Sequence, residues 1–382
     1  MSTSLPLLNL PPIVSEQVLQ NMTLSDLFDL SQFSKRTFNL IKTFFKKIPS
    51  TLSVSINSTS EIDVANYDLE TFGFTKWMFY EARDPARMDL ENPRTYKVDG
   101  MHMEFCRTEI TREDEDEDED DDVDEDVDVD VEFGCLSEHS IQDLMKFCEH
   151  LMKLFNATVG TMYINCPKME NLEQLLSVEA FRTCRSVGIG SRKVTHEELR
   201  KILTGFDTKY LRISSRTKQN FLCNEVIRVE KLDVRFSSWI NIQFLRNLDF
   251  KQGTFTGSFL TNEDLNSFLK HWLEGSNTRM EFLCVSGPLP SLETLDPRSE
   301  QPKWDLSKIV EGVITIPGAI KRADAVRYVG YGTVPYENGL DVKRESDGVL
   351  ATAVLFTDVL EIERFLFEVW QVPDPNVVVD DE

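Results

Sequence analysis

The groups that could do chemistry are few. Five histidines (His102, His139, His150, His196, His271) and seven cysteines (Cys106, Cys135, Cys148, Cys166, Cys184, Cys223, Cys284) are scattered through 382 residues. A nucleophile with its base, or a metal cage, has to be drawn from them or from the carboxylates. Cys135, His139, Cys148 and His150 come nearest to a ligand set, but their separations match no zinc-module spacing, so they read as helix-face or core residues. His271 falls within an amphipathic helical pattern, where a packed or solvated imidazole is the plain reading. The sequence holds no Gly-x-Ser-x-Gly, no Gly-x-x-x-x-Gly-Lys-Ser/Thr, no Gly-x-Gly-x-x-Gly and no His-Glu-x-x-His. The expectation is therefore a non-enzyme, with no cofactor and no catalytic or metal-ligating residue assigned.

Charge narrows the partners. The net charge of −24 is concentrated in "EDEDEDEDDDVDEDVDVDVE", Glu113 to Glu132, whose 16 carboxylates account for all but −8 of it. Such a field disfavours a nucleic-acid backbone and an anionic membrane surface, while leaving basic proteins as possible partners. The cations Lys35, Arg36, Lys42, Lys46 and Lys47 cluster late in the opening segment, as helix dipoles favour at a C-terminus. An odd number of dispersed cysteines argues against a disulfide framework, and no apolar run reaches the roughly 18 residues of a membrane span. A cytoplasmic or nuclear protein is expected.

The elements that must position any binding surface come next. In "LNLPPIVSEQVLQNMTLSDLFDLSQFSKRTFNLIK", Leu8 to Lys42, Pro11 and Pro12 suit a first helical turn, and Val14, Val18, Leu19 and Met22 recur at helical spacing. Ser25 is a natural N-cap for a second helix carrying Leu27, Leu30 and Phe33; Ser34 opens a third with Phe38, Ile41 and Phe45. Three short helices in about 40 residues cannot cover all these faces, so some apolar surface meets a partner or the rest of the chain. Pro49 and a Ser/Thr-rich run end the module. A mixed region follows, with "KWMFY" as a buried strand, and then the acidic run, too charged to order itself.

Beyond it, apolar-x-apolar triplets start at Met162, Val187, Leu211, Leu232, Leu248 and Leu283, at spacings of 25, 24, 21, 16 and 35 residues. The first three spacings fall within the period of leucine-rich repeats. "THEELRKILTGF" and "TNEDLNSFLKHWLEG" between them are amphipathic helices, with Thr195/Glu198 and Thr261/Asp264 at capping-box spacing and Gly275 as a stop. Alternating strands and helices predict a parallel, curved α/β layer. Strands around the turn dipeptide Asp347-Gly348 would cap its open edge, and "QVPDPNVVVDDE" reads as an acidic, solvated tail. The fold class is thus α+β to α/β: three N-terminal helices, then an irregular leucine-rich-repeat-like domain with a C-terminal β cap. The expected boundaries are 1–47 for the helical module, 48–112 for a connecting mixed region, 113–132 for a disordered acidic insertion, 133–370 for the α/β domain and 371–382 for the tail.

Leu10-Pro11, Val14, Val18-Leu19, Met22, Asp26-Leu27, Leu30, Phe33-Ser34-Lys35-Arg36 and Leu40-Ile41 resemble the F-box pattern without a gap. "PLLNLPPIVSEQVLQNM" with "SKRTFNLIK", and downstream "LTNEDLNSFLKHWLEGSNTRMEFLCV" and "DGVLATAVLF...FEVW", are similar to the nematode F-box proteins that carry an F-box associated domain of the second type. The resemblance implies a substrate-recruiting subunit of a Skp-cullin-F-box ubiquitin ligase without its own catalytic site. It would bind the Skp adaptor, and through it a cullin, by Leu10, Pro11, Pro12, Val14, Val18, Leu19, Met22, Leu27, Leu30 and Phe33. An unidentified protein target would meet the open strand face through the middle residues of the triplets, Tyr163, Arg212, Asp233 and Asp249. The competing expectation is a repeat protein outside ubiquitination whose acidic tract binds basic proteins with steep salt dependence.

Overall fold

A computed structural model describes residues 7–46, 50–56, 59–65, 75–81, 93–111, 129–137, 140–165, 169–190, 193–218, 221–287, 304–316, 328–329, 332–359 and 361–370. The chain divides into two compact units, Met1–Val187 and Gly188–Glu382.

The first unit opens with α1 (Pro12–Gln20), α2 (Leu24–Phe33) and α3 (Lys35–Phe45). Pro12 stands at the first helical position, where its missing N–H is no loss. Helix α2 is capped by Thr23, which accepts from the Asp26 amide, and not by Ser25 as expected; Ser25 is wholly buried. The Thr-x-x-Asp spacing wins because its hydroxyl and carboxylate satisfy each other as well as the amide. Ser34 caps α3 as expected, with Thr37 closing a capping box.

Strands β1 (Ser50–Ile56), β2 (Thr59–Ala65), β3 (Thr75–Glu81), β4 (Arg94–Val98), β5 (Met101–Thr111) and β6 (Val129–Ser137) follow, then α4 (Ser140–Phe155) and β7 (Ala157–Ile164). They make one mixed sheet in the order β4-β5-β6-β3-β2-β1-β7, parallel at β3/β6 and β1/β7 and antiparallel elsewhere. The segment expected as a connector at 48–112 is therefore sheet, because its alternating apolar residues, Leu52, Val54, Ile56, Trp77 and Phe79, are buried on one face. The expected acidic insertion is also four residues too long. Val129 to Glu132 belong to β6, where Val131 and Glu132 pair with Thr75 and Lys76 and alternate valines favour a strand. Residues 113–128 and the tail 371–382 lie outside the described residues. Helices α5 (Met169–Ser177) and α6 (Glu179–Arg182) and strand β8 (Ser186–Ile189) lead into the second unit.

There, α7 (His196–Gly205), β9 (Tyr210–Ile213), β10 (Ile227–Arg228), β11 (Lys231–Arg235), α8 (Ile242–Arg246), β12 (Leu248–Asp249), β13 (Gln252–Thr256), α9 (Asn262–Leu273) and β14 (Phe282–Ser286) alternate. Strands β9, β11, β13 and β14 are parallel, and Leu211, Leu232, Gly253 and Leu283 share one register row, so the units repeat every 21, 21 and 30 residues. The expected triplet at Leu248 is not in this ladder: it supplies β12, which pairs only with β10. The ladder strand is β13, whose row position is Gly253, a residue that an apolar-x-apolar search passes over. Phe250 explains the glycine: a Cβ on Gly253 would lie 2.8 Å from Cε2 of that ring, which fills the missing side chain's place.

Both expected capping boxes form, at Thr195/Glu198 and Thr261/Asp264, and Gly275 takes φ +96° where α9 stops. Leu199, Ile202 and Leu203 of α7, and Leu265, Phe268, Leu269 and Trp272 of α9, form the buried helix faces. After α10 (Leu306–Ile309), β15 (Tyr328–Val329) and β16 (Gly332–Thr333), strands β17 (Leu340–Lys343), β18 (Leu350–Thr357) and β19 (Glu363–Trp370) run antiparallel, with β19 against β14. This is the expected edge cap, with Gly348 at φ +78° in its hairpin turn. On the face it shares with Cys284, the apolar cluster of Phe282, Val354, Phe356 and Leu366 packs with Val334 and Tyr336.

Candidate protein-docking surfaces

The first candidate surface is built on α1, α2 and α3, which dock on their own unit by one side. Phe28 of α2 is wholly buried among Tyr96, Phe147, Trp77 and Phe133, at ring-centroid distances of 5.2, 5.4, 5.8 and 6.1 Å. Polar contacts rim this plug. Tyr96 donates to Asp29 at 2.8 Å, Arg94 lies 3.3 Å from the same carboxylate, and the Lys97 amide donates to Gln32. Burial, with Asp29 beside it, pushes the Tyr96 phenol up to about 12, so this bond persists through any physiological pH. Phe45 of α3 meets Phe155 of α4 at 4.9 Å, and Phe38 meets His150 at 5.5 Å.

The other side of these helices stays in water. Ile13 is 71% and Phe33 81% exposed, Leu8 and Val14 are exposed, and Leu10, Val18, Met22 and Leu30 are half-buried. Pro11 and Pro12 are exposed as well. Leu19 and Leu27 are the exceptions among the expected docking residues: neither has any accessible surface, so they are withdrawn from the contact. Ile13 was missed because it falls off the stripe of Val14 and Val18, while Phe28 and Asp29, which fasten the module, carry no local signal of their partners.

The second candidate surface is the strand face opposite the helices in the Gly188–Glu382 unit. Arg212 and Asp233 are brought together there, Nε to Oδ2 at 3.0 Å, in facing register on β9 and β11. Tyr210 accepts from Arg212 at 2.6 Å, and the Lys231 ammonium sits 5.1 Å from its ring. Asp249 does not join them. It lies on β12, held by Arg228 at 2.7 Å and Arg279 at 3.3 Å, and Thr254 occupies the register position beside Asp233. Tyr163, on β7 of the other unit, is 41% exposed. The signal that would have found Thr254 is the 21-residue step from Arg212 to Asp233, taken once more.

The cysteines of the described residues lie in the core. Six of them are buried, and burial raises the Cys135 and Cys184 thiols to about 12. No group of three or more potential metal ligands occurs among the described residues. Cys135, Cys148 and His150 are core residues, and His139 lies outside the described ones. No described helix is long and apolar enough to cross a membrane.

Residues 7–48 match the F-box domain, and residues 218–285 match the F-box associated domain. The chain is 23% identical over 358 residues to the Skn-1 dependent zygotic transcript 15 protein of Caenorhabditis elegans, covering 90% of this chain and 92% of that one. A shorter likeness, 27% over 99 residues, relates 24% of this chain to 8% of the E3 ubiquitin-protein ligase hecw-1 of the same nematode. No solved structure matches. The F-box match takes in α1 to α3, and the second match begins after β9 and ends within the last parallel strand, β14. The chain thus carries an F-box followed by an F-box associated domain and is similar along nearly its whole length to a nematode protein, a domain make-up that indicates a substrate-recognition adaptor.

Proposed function

We propose that the protein is the target-recruiting subunit of a Skp-cullin-F-box ubiquitin ligase, working in the cytosol or nucleus and making or breaking no bond itself. Its contribution is to hold a target beside the ligase's charged ubiquitin carrier, raising the effective concentration of the two. The observation that carries this reading is the water-facing apolar surface of α1 and α2, which includes Ile13, Val14 and Phe33 within the F-box match. Apolar side chains left out this way on an otherwise well-packed module mark a protein interface. The adaptor-facing residues are Leu10, Pro11, Pro12, Val14, Val18, Met22, Leu30 and Phe33, joined by Ile13. The parallel layer from β9 to β14 reads as an irregular leucine-rich-repeat-like surface, and its Arg212–Asp233 face is the target side.

The test is capture of the Skp adaptor by the full chain and by a Val14→Asp, Phe33→Asp variant. Both residues are exposed, so the variant keeps its fold, while two carboxylates would enter an apolar contact unpaired. Capture by the native chain and its loss in the folded variant are expected. Capture by neither protein would sink the reading.

A further inference from the structure

The ladder stretch is basic in an acidic chain. Residues 188–260 carry 13 Lys and Arg against 7 Asp and Glu, a net +6, whereas the whole chain stands at −24. The excess comes to the surface on one face. Along β9, β11 and β13 every exposed side chain is a cation, Arg212, Lys231 or Arg235, while Tyr210, Asp233, Thr254 and Thr256 between them are half-buried.

Alternation along a strand puts Lys231, Asp233 and Arg235 on one side, and the register sets Arg212 beside Asp233 and Tyr210 beside Lys231. One carboxylate thus serves three cations. Arg212 takes it, Nε to Oδ2 at 3.0 Å, and what is left over is positive. The Lys231 ammonium lies 5.1 Å from the Tyr210 ring, and the Arg235 guanidinium has no ion pair or hydrogen bond among the described residues. Just past β9, the exposed Arg216 lies 4.7 Å from the ring of Phe236, a fourth cation set against an aromatic ring and not an acid. Unmatched positive charge on a water-facing strand row fits an acidic partner and steers its approach.

The spacing narrows what that partner is. Lys231 and Arg235 stand four residues apart on one strand, about 13 Å, with Asp233 between them. An extended peptide lying along β11 presents same-side side chains at the same two-residue step, so carboxylates at its first and fifth positions meet the two cations, and an uncharged third position spares Asp233. A continuous phosphate backbone has no such gap and would be pressed against that carboxylate and against the acidity of the rest of the chain.

We propose that the strand face from β9 to β13 docks an acidic, extended segment of the target protein, with carboxylates on Lys231 and Arg235. This rests on the reading of that face as the target side and gives the target its chemistry. The probe is a labelled peptide pool, Glu-x-Ser-x-Glu with x random and uncharged, titrated into the full chain by anisotropy beside its uncharged counterpart Gln-x-Ser-x-Gln. Saturable binding of the first pool alone is expected, falling as salt rises and weakened at least about tenfold by Lys231→Glu with Arg235→Glu. Both side chains are exposed, so this variant keeps its fold. Arg246→Glu with Lys308→Glu, exposed cations of α8 and α10, makes the same change in net charge and should leave binding within about twofold. Equal binding of the two pools, equal loss in both variants, or displacement of the peptide by oligothymidylate more readily than by unlabelled peptide would each overturn the proposal. Binding that emerges only when residues 113–128 are replaced by Gly and Ser would make the chain's own acidic run the occupant, and overturn it too. If the proposal fails while Arg212→Ala still changes which proteins are retained, the target side stands with a different chemistry; adaptor capture by the same preparations reports on the ligase reading separately.

Discussion

The two candidate docking surfaces differ in what water does to them. On α1 and α2 the outward residues are apolar, with Ile13 and Phe33 mostly exposed, whereas on β9 and β11 the outward residues are already paired as Arg212 with Asp233 and Tyr210. An apolar face loses free energy for as long as it is wet, at about 25 cal/mol per Å², and so suits a partner that stays. A face whose charges satisfy one another is at ease in water and suits partners that come and go. The inner sides differ as well: Phe28 fastens the helices through an aromatic plug, α7 packs with an aliphatic stripe, and α9 mixes leucines with Phe268 and Trp272.

The largest effect should come from the plug. Phe28→Ala is expected to destabilise the first unit by about 3–5 kcal/mol, read by urea unfolding, since it empties the centre of a packed aromatic cluster. A loss below about 1 kcal/mol would mean that the helices are not fastened there. Next, the exposed pair Val14→Asp and Phe33→Asp should weaken adaptor binding by about 2 kcal/mol or more while unfolding midpoints barely move. A parallel drop in stability would show that these side chains belong to the core instead.

The third effect is a pH dependence confined to the plug. Desolvation by burial holds His150 below its ordinary value of 6.5, although a hydrogen bond with Asp99 opposes the shift. The unfolded chain therefore binds more protons than the folded one below pH 6.5, and stability is full above that value and declines as pH falls through it. Asp99 is desolvated too, which would raise it, yet hydrogen bonds from Lys153 and His150 keep it below 3.8, so it stays charged across this window. Unfolding followed between pH 7 and pH 5 should lose at most about 1.4 kcal/mol per pH unit, and His150→Gln should flatten the curve. An unchanged slope in that variant would place the titrating group elsewhere. Thr261→Ala, which removes the α9 cap, should cost about 1 kcal/mol by thermal unfolding of the second unit. Smallest of all, Arg212→Ala or Asp233→Ala should change stability by less than about 1 kcal/mol, being a partly exposed pair, while altering which proteins the strand face retains. A large stability loss would turn that face from a docking surface into a structural one.

Local pattern was enough wherever a residue's fate depends on neighbours three or four places away. The capping boxes at Thr195 and Thr261, the stripes of α7 and α9, the stop at Gly275 and the strand at "KWMFY" follow from such spacing. The F-box was legible for the same reason: the residues that carry its pattern lie within one short run. The cap of α2 was misplaced by two residues because Ser25 and Thr23 are equally good caps in isolation, and the presence of Asp26 decides between them.

What the sequence by itself determined is helices α1 to α3, α7 and α9, the alternation of strand and helix around the last two, and the apolar stripe each helix carries, because periodicity alone fixes which side chains share a face. Only the tertiary structure decided that Phe28 closes an aromatic cluster drawn from β3, β4, β6 and α4, that Leu19 and Leu27 turn inward, and that Gly253 stands in the ladder with Phe250 filling its place. Each of these depends on residues distant in the chain meeting through sheet pairing, and that meeting leaves no trace in local spacing. The same holds for Lys193 and Arg216, distant in the chain and made neighbours only by a parallel bridge.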